Sequence, residues 1–263
     1  MGDKINVGIV GGGFGNYGLI PAFKLENRCK IVSICTKNAK KAKEISSMHK
    51  IDNYYTNYED MLNKGDIHVL AIATVPSIQE KIIKFAAEKK IHIFCEKPIA
   101  TSYESALLLS KIVEKNNVKS CIDFPFLEIE EFKQLRKKIS CGDLGNIKEC
   151  SINWKFNAHH IKYNTNSWKQ QKQEGGGLLS IYASHTLNYI EYLFGKIKEF
   201  LIEKYSETEL FVKFRTNNKL LIKFILKINS IDSKYHKINI IGSKENVTLM
   251  TNDPLRFSDF VLY

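Results

Sequence analysis

A run of glycines between two apolar stretches constrains this chain more than any other feature. Val7–Phe23 reads Val-Gly-Ile-Val-Gly-Gly-Gly-Phe-Gly-Asn-Tyr-Gly-Leu-Ile-Pro-Ala-Phe. Val7, Ile9 and Val10 have the texture of a buried strand, and an apolar helical pattern resumes after Gly15. A parallel strand that turns through glycines into a helix makes an anion site. Unpaired N–H groups at the helix start point outwards, and glycine lets a pyrophosphate approach the backbone closely. The helix dipole adds only about 0.3–1 kcal/mol per charge, so the aimed N–H groups matter as much. The first two glycines of the dinucleotide fingerprint fit Gly11 and Gly13, and the third falls at Asn16 beside Gly15. A second register, Gly13-x-Gly15-x-x-Gly18, fits the letters but starts later in the turn. An ordinary tight turn is the plainer alternative. The place of the run, after an N-terminal strand and before a helix, favours a dinucleotide site.

The first half of the chain continues in alternation. Strand-like runs at 5–10, 31–35, 69–73, 91–95 and 120–124 are separated by helical patterns, and 53–55 adds a short strand. Such alternation predicts an α/β Rossmann fold, a doubly wound parallel sheet with helices on both faces. Ser77-Ile78-Gln79-Glu80 and Thr101-Ser102-Tyr103-Glu104 have the capping-box form and predict two helix starts. From about Phe126 the texture changes. A helix near 128–139, a strand at 147–156, a long polar loop and a helix at 178–194 lead to five strand-like runs. Their turns predict an antiparallel meander, hence an α+β second domain with a mostly antiparallel sheet. The expected boundary gives domains 1–123 and 124–263, the second short at its C-terminal end.

At 263 residues the chain is long enough for two modest cores. No apolar run approaches the roughly 20 residues that span a bilayer, and the N-terminus enters a strand directly, so a cytoplasmic protein without a membrane partner is expected. The six cysteines lack metal-type spacing and are read as reduced thiols, with no metal site. The net charge of +11 comes mainly from scattered lysines. The densest group, Lys37, Lys40, Lys41 and Lys43, is either a solvated helix face or a contact for a cofactor phosphate. Without a basic stripe or interleaved aromatics, no specific nucleic-acid partner follows.

Glu96-Lys97-Pro98 directly follows the strand at 91–95. Ligands of open parallel sheets lie beyond the carboxyl ends of the strands, which puts Lys97 where a substrate would meet a nicotinamide. Here the sequence resembles the Gfo/Idh/MocA family. The resemblance covers nearly the whole chain. It rests on Gly11–Gly15 with Ile20-Pro21-Ala22-Phe23, Thr74-Val75-Pro76-Ser77-Ile78-Gln79, Phe94-Cys95-Glu96-Lys97-Pro98, Ser167-Trp168-Lys169, Glu174-Gly175-Gly176-Gly177 and Ser184-His185, in family order.

The resemblance implies hydride transfer between NAD or NADP and a carbinol carbon of a sugar, cyclitol or nucleotide sugar. Lys97 would hydrogen-bond the reacting hydroxyl, and His185 would exchange its proton. Gly11, Gly13, Phe14, Gly15, Asn16, Thr36, Lys37, Thr74, Pro76, Gln79, Glu96 and Lys97 would line the dinucleotide. Trp168 would pack near the nicotinamide or in the core. The second domain's sheet would carry the substrate pocket and, as often in the family, a homo-oligomer interface.

The match also has gaps. The aspartate that family members often place one helical turn before the histidine is Ile181 here, with Tyr182 and Asn188 the nearest polar neighbours. Histidines found in many relatives are replaced by Leu19 and Gln79. The ribose-binding acid after the second strand is missing, and Thr36-Lys37-Asn38 stands there. Lys37 is compatible with NADP. These gaps raise a second expectation, a dinucleotide-binding family member with impaired or no catalysis.

Overall fold

The computed structural model describes residues 4–256 and 259–263. The chain divides into two compact units. One takes the chain up to Asp123 together with Gln171–Gly175, and the other takes Phe124–Gln170 and Gly176–Tyr263. The short segment that the second half returns to the first unit has no signature in the sequence pattern.

In the first unit, strands β1 (Ile5–Val10), β2 (Cys29–Cys35), β3 (Asn53–Tyr55), β4 (Val69–Ile72), β5 (His92–Glu96) and β6 (Ser120–Asp123) alternate with helices. The helices are α1 (Ile20–Leu25), α2 (Ala39–His49), α3 (Tyr58–Lys64), α4 (Pro76–Glu88) and α5 (Tyr103–Lys115). The strand order β3-β2-β1-β4-β5-β6 is parallel throughout. Its direction reverses between β1 and β4, where α/β sheets open a crevice for ligands. Val7, Ile9, Leu70, Ala71 and Ile72 are fully buried, as strands covered on both faces require.

The helix starts differ from the two capping boxes. Pro76 occupies the first turn of α4 and Val75 stands at its cap, so Ser77 is already helical. The cap of α5 is Ser102, whose hydroxyl accepts from the Ser105 N–H at 3.1 Å. Glu80 from the first box instead meets Thr101 from the second. Its Oε1 accepts from the Thr101 N–H at 2.6 Å and from the Thr101 hydroxyl at 2.8 Å. The two boxes therefore form one tie between α4 and the loop that follows β5.

The second unit begins with a 3-10 turn at Pro125–Glu128, then α6 (Glu130–Ser140), β7 (Ile147–Lys155), α7 (His159–Lys162) and α8 (Ser184–Phe194). The tail forms β8 (Ile197–Tyr205), β9 (Glu209–Thr216), β10 (Leu221–Lys227), β11 (Tyr235–Gly242), β12 (Asn246–Thr251) and β13 (Val261–Leu262). These strands do not make a simple meander. The sheet order is β13-β12-β11-β7-β10-β9-β8, with β7 antiparallel to β11 and parallel to β10. Buried residues recur at every second position of β7, β9, β10, β11 and β12, so one face of the sheet builds the core and receives α8. Phe126 sits inside it, with the rings of Phe132, Trp154, Tyr189 and His236 at 5.3–5.7 Å.

His236 is completely buried there. Its ring stacks on Trp154 at 4.7 Å, and Nε2 lies 2.9 Å from the Tyr189 hydroxyl. Burial holds the imidazole neutral and pulls its pKa down to about 3. An unfolded chain protonates its histidines near 6.5, so below that pH it binds a proton that the native core refuses. This contribution to stability is present above about pH 6.5 and is lost as pH falls towards 3, at up to roughly 1.4 kcal/mol per pH unit. The urea midpoint of the native chain is expected to drop steeply between pH 7 and 4 and to drop less in His236→Leu. Equal slopes would assign the acid sensitivity to other groups.

Candidate active site

β1 ends at the reversal point of the sheet, and the glycine turn fills it. The Gly11 N–H donates to the Cys35 carbonyl at 2.9 Å, and the Ala73 N–H donates to the Val10 carbonyl at 2.8 Å. Gly11 has φ +121°, and a Cβ there would lie 2.1 Å from the Ala73 carbonyl oxygen. Only glycine fits. A Cβ on Gly13, by contrast, would meet nothing within 4 Å, so this part of the turn faces open space. The chain then enters a π-helical turn, Gly15–Leu19, that runs directly into α1. Asn16 closes the turn from inside. Its N–H donates to the Gly13 carbonyl at 2.9 Å, and its Oδ1 lies 2.8 Å from His49 Nε2. Phe14 is partly exposed and packs edge-on against Tyr17.

Thr36 follows β2 and approaches the second glycine of the turn, with its Oγ1 3.2 Å from where a Gly12 Cβ would stand. Lys37 is exposed beyond it. The side chain that covers Gly12 is Lys41, whose Cε would lie 3.0 Å from the same Cβ. Sequence reasoning named Lys41 only as one of a lysine group. The Asn38 cap, whose side chain accepts from the Lys41 N–H at 3.0 Å, sets the helical phase that turns Lys41 towards the glycines.

The loop after β4 is tied to the end of β5 by Gln79. This residue is fully buried, and its amide bonds backbone groups on both sides. Nε2 donates to the Glu96 carbonyl at 3.0 Å and to the Pro98 carbonyl at 2.9 Å, while Oε1 accepts from the Thr74 N–H at 3.3 Å. The sequence placed Gln79 on the dinucleotide. In the structure its carboxamide is hydrogen-bonded to three main-chain groups, as a strut under the strand ends would be. Pro76 is buried at the start of α4, where a Cβ on Gly175 would meet its ring at 2.7 Å. Ser77 donates to the carboxylate of Glu174, so the returning segment Gln171–Gly175 is held at the start of α4.

Lys97 is partly buried at the carboxyl end of β5, and its peptide bond to Pro98 is cis. Glu96 and Asp123 end adjacent strands and lie directly opposite one another. Desolvation, with the Asp123 hydrogen bond and its charge, holds the Glu96 carboxyl well above the usual carboxylate range; the nearby Lys97 ammonium opposes this. A neighbouring carboxyl disfavours the charged form of Glu96 in the same direction as its burial does. Asp123 was not singled out from sequence, although strand-end register alone would have paired it with Glu96.

The second unit carries Trp168 and His185. Trp168 opens a short 3-10 turn, and its carbonyl closes on Gly176, where a Cβ would lie only 2.4 Å away. His185 is buried at the start of α8, against the rings of Phe124 and Phe126 at 5.8 and 5.4 Å. Ile181, one turn earlier, is buried, and its side chain is aliphatic. Tyr182 packs on Trp154 and Phe156, and burial pushes its phenol up to about 12. A cavity of about 580 Å³ opens between α8 and strands β8 and β9. Leu179, Phe200, Ile202 and Phe214 are among its apolar lining residues, and Ser184, Asn188 and Glu191 are its polar members.

Of the cysteines, Cys35, Cys95 and Cys150 are buried and Cys121 and Cys141 exposed, none in a disulfide. Burial pushes the Cys35 thiol up to about 11. No helix among the described residues is long and apolar enough to cross a membrane.

A glycine-cradled turn at the reversal of a β3-β2-β1-β4-β5-β6 parallel sheet defines the first unit as a Rossmann nucleotide-binding domain. Residues 5–124 match the family model described as "Oxidoreductase family, NAD-binding Rossmann fold", and residues 136–256 match its companion, "Oxidoreductase family, C-terminal alpha/beta domain". The chain belongs to the Gfo/Idh/MocA family. It is 26% identical over 192 residues to an uncharacterized oxidoreductase of Synechocystis sp., covering 73% of this chain and 52% of that one. It is 27% identical over 203 residues to levoglucosan dehydrogenase of Pseudarthrobacter phenanthrenivorans, covering 74% of this chain and 52% of that enzyme. The chain thus spans about half the length of these curated relatives. Among solved structures, the WlbA dehydrogenase from Bordetella pertussis, in complex with NADH and UDP-GlcNAcA, superposes with a TM-score of 0.87 at 20% identity. It covers 96% of this chain and 80% of its own.

The turn fits the family's dinucleotide on its own geometry. Gly11 brings two backbones together where any side chain would collide, and Gly13 leaves its outer side open for a phosphate. The residues that would hold the dinucleotide are Gly11–Gly15, with Thr36 just after β2 and Lys41 in the first turn of α2.

Proposed function

We propose that this protein is an NAD(P)-dependent oxidoreductase of sugar-like substrates, acting at a carbinol or carbonyl carbon. The supporting observation is the pairing, within one unit, of the open glycine turn with a lysine at the carboxyl end of β5. When bound, the nicotinamide would accept or donate the hydride. Lys97 would hydrogen-bond the reacting oxygen and stabilise its alkoxide-like charge. The Gln79 strut beneath the Glu96 and Pro98 carbonyls would fix the backbone on both sides of Lys97. His185 is proposed as the proton-exchanging group of the second unit. The substrate class follows the relatives, levoglucosan dehydrogenase and a WlbA dehydrogenase crystallised with UDP-GlcNAcA.

We further infer a cytoplasmic homo-oligomer. The edge strand β8 exposes Phe200, Leu201, Ile202 and Tyr205, an apolar row suited to burial against a second copy. Ile181 supports a second reading, in which the chain binds a dinucleotide without efficient turnover, because an isoleucine stands where family members often place an aspartate one helical turn before the histidine.

Titration with NADH and NADPH, followed by nicotinamide fluorescence, and turnover assays on anhydro-sugars, aldoses and UDP-sugars test both readings. Binding with turnover supports the enzyme. Binding with no turnover on any substrate supports the second reading, and no binding of either dinucleotide overturns both.

A further inference from the structure

Glu96 closes β5 one residue before Lys97, and Asp123 stands opposite it as the last residue of β6. Opposed residues of neighbouring strands send their side chains to the same side of the sheet, and here the two carboxyl groups share a hydrogen bond. The Glu96 carboxyl also accepts from the Lys97 N–H, and the Lys97 ammonium acts on it through space. Gln79 fixes the backbone beneath, with its Nε2 donating to the Glu96 carbonyl at 3.0 Å and to the Pro98 carbonyl at 2.9 Å.

The elements packed against this strand end differ in what they present to it. β4 presents Ala71 and Ile72, both fully buried. α4 presents Gln79, and the Glu80 carboxylate of that helix is taken by Thr101. Behind Glu96 on its own strand, Cys95 is a buried thiol that burial keeps protonated. Asp123 and Lys97 are the charged groups that act on Glu96. Desolvation and the Asp123 hydrogen bond and charge make Glu96 a weaker acid, and Lys97 pulls the other way. A carboxylate so placed accepts a proton more readily than an exposed one, which suits acid–base work near neutral pH.

We propose that Glu96 takes up the proton released when the substrate hydroxyl is oxidised, receiving it through Lys97, with Asp123 as the residue that positions the Glu96 carboxyl. This role deepens the oxidoreductase reading above and rests on it. In the oxidising direction the carbinol C–H leaves as hydride for the nicotinamide, and the C=O bond forms. Lys97 gives one ammonium proton to the Glu96 carboxylate and takes the hydroxyl proton in its place. Lys97 thus ends as it began, and Glu96 ends neutral. Reduction runs the same transfers backwards. The route lies within the first unit and does without the aspartate whose place Ile181 occupies.

Two measurements on the native chain, Asp123→Asn and Glu96→Gln test it. In the first, pH-difference infrared spectra of the unliganded proteins follow the carboxyl C=O band. The native chain should keep a protonated carboxyl above about pH 6, where ordinary carboxylates have ionised, and Glu96→Gln should lack it. Coincident native and Glu96→Gln spectra would overturn the proposal without touching the oxidoreductase reading. In the second, kcat is followed against pH on the best substrate among the anhydro-sugars, aldoses and UDP-sugars. Oxidation needs ionised Glu96, so native kcat should rise with pH through its titration. Asp123→Asn removes the neighbouring acid and should move that rise about one pH unit lower, with KM unchanged within about twofold. Glu96→Gln should lower kcat at least about tenfold. A rise that stays in place in Asp123→Asn and vanishes in His185→Ala would give the proton to His185 and overturn the relay alone. A native chain that turns over none of these substrates would overturn the relay together with the enzyme reading.

Discussion

Replacing Lys97 by alanine is expected to lower turnover by at least about 100-fold while leaving dinucleotide affinity within about twofold of the native value. The estimate follows from the usual worth of a positioned proton donor or oxyanion contact. Lys97 directly follows β5, beside the carboxyl pair of Glu96 and Asp123, and its ammonium is the cation that opposes the upward shift of the Glu96 carboxyl. On the proposed mechanism, removing it takes away a donor whose benefit is confined to the moment when negative charge develops on the substrate oxygen, so kcat should fall more than KM rises. The backbone around it should hold, because Gln79 grips the Glu96 and Pro98 carbonyls and not the lysine side chain. Steady-state kinetics beside a fluorescence titration separates the effects. Turnover unchanged within a factor of two would remove Lys97 from the chemistry.

The second large effect is expected at Gly11. An alanine there faces two penalties together: a φ of +121° that L residues rarely adopt, and a Cβ placed 2.1 Å from the Ala73 carbonyl oxygen. The obstacle is main chain on both sides, held by the Gly11–Cys35 and Ala73–Val10 hydrogen bonds, so no side chain can swing aside. Gly11→Ala should cost at least about 3 kcal/mol of stability in the first unit. Gly13→Ala, two residues along, should change stability by less than about 0.5 kcal/mol, since its methyl points into open space. On the proposed reading it should nevertheless weaken dinucleotide binding, because a phosphate would approach through that space. Denaturant unfolding and ligand titration of the pair distinguish a glycine needed for the fold from one needed for the ligand. Equal stability losses would contradict this division.

Much of this architecture was legible because its signals are local. The alternation of apolar runs and helical patterns marked every strand of the parallel sheet, and the glycine turn and the strand-end lysine announced themselves by position. What was not legible depends on partners far apart in sequence. The capping boxes had the right letters, but Pro76 starts α4 early, and Glu80 finds Thr101 instead of its own helix end. Gln79 looked like a ligand contact because it stands on a functional loop; only its complete burial shows that it faces the main chain. The tail read as a meander because its turns are short. Yet β7, separated from the other strands by a long loop and α8, inserts between β11 and β10. Lys41 was visible as charge, and its resting place on Gly12 was not.

The contribution of Gln171–Gly175 to the first unit has a consequence for how the chain can be divided. The polypeptide passes from one unit to the other after Asp123, returns at Gln171 and leaves again after Gly175. A gene fragment ending at the first crossing would therefore encode a nucleotide domain lacking the carboxylate that receives Ser77 and the glycine that abuts Pro76. The two halves are not interchangeable cassettes. Any chimera that swaps one for a cousin's must carry those five residues across with it.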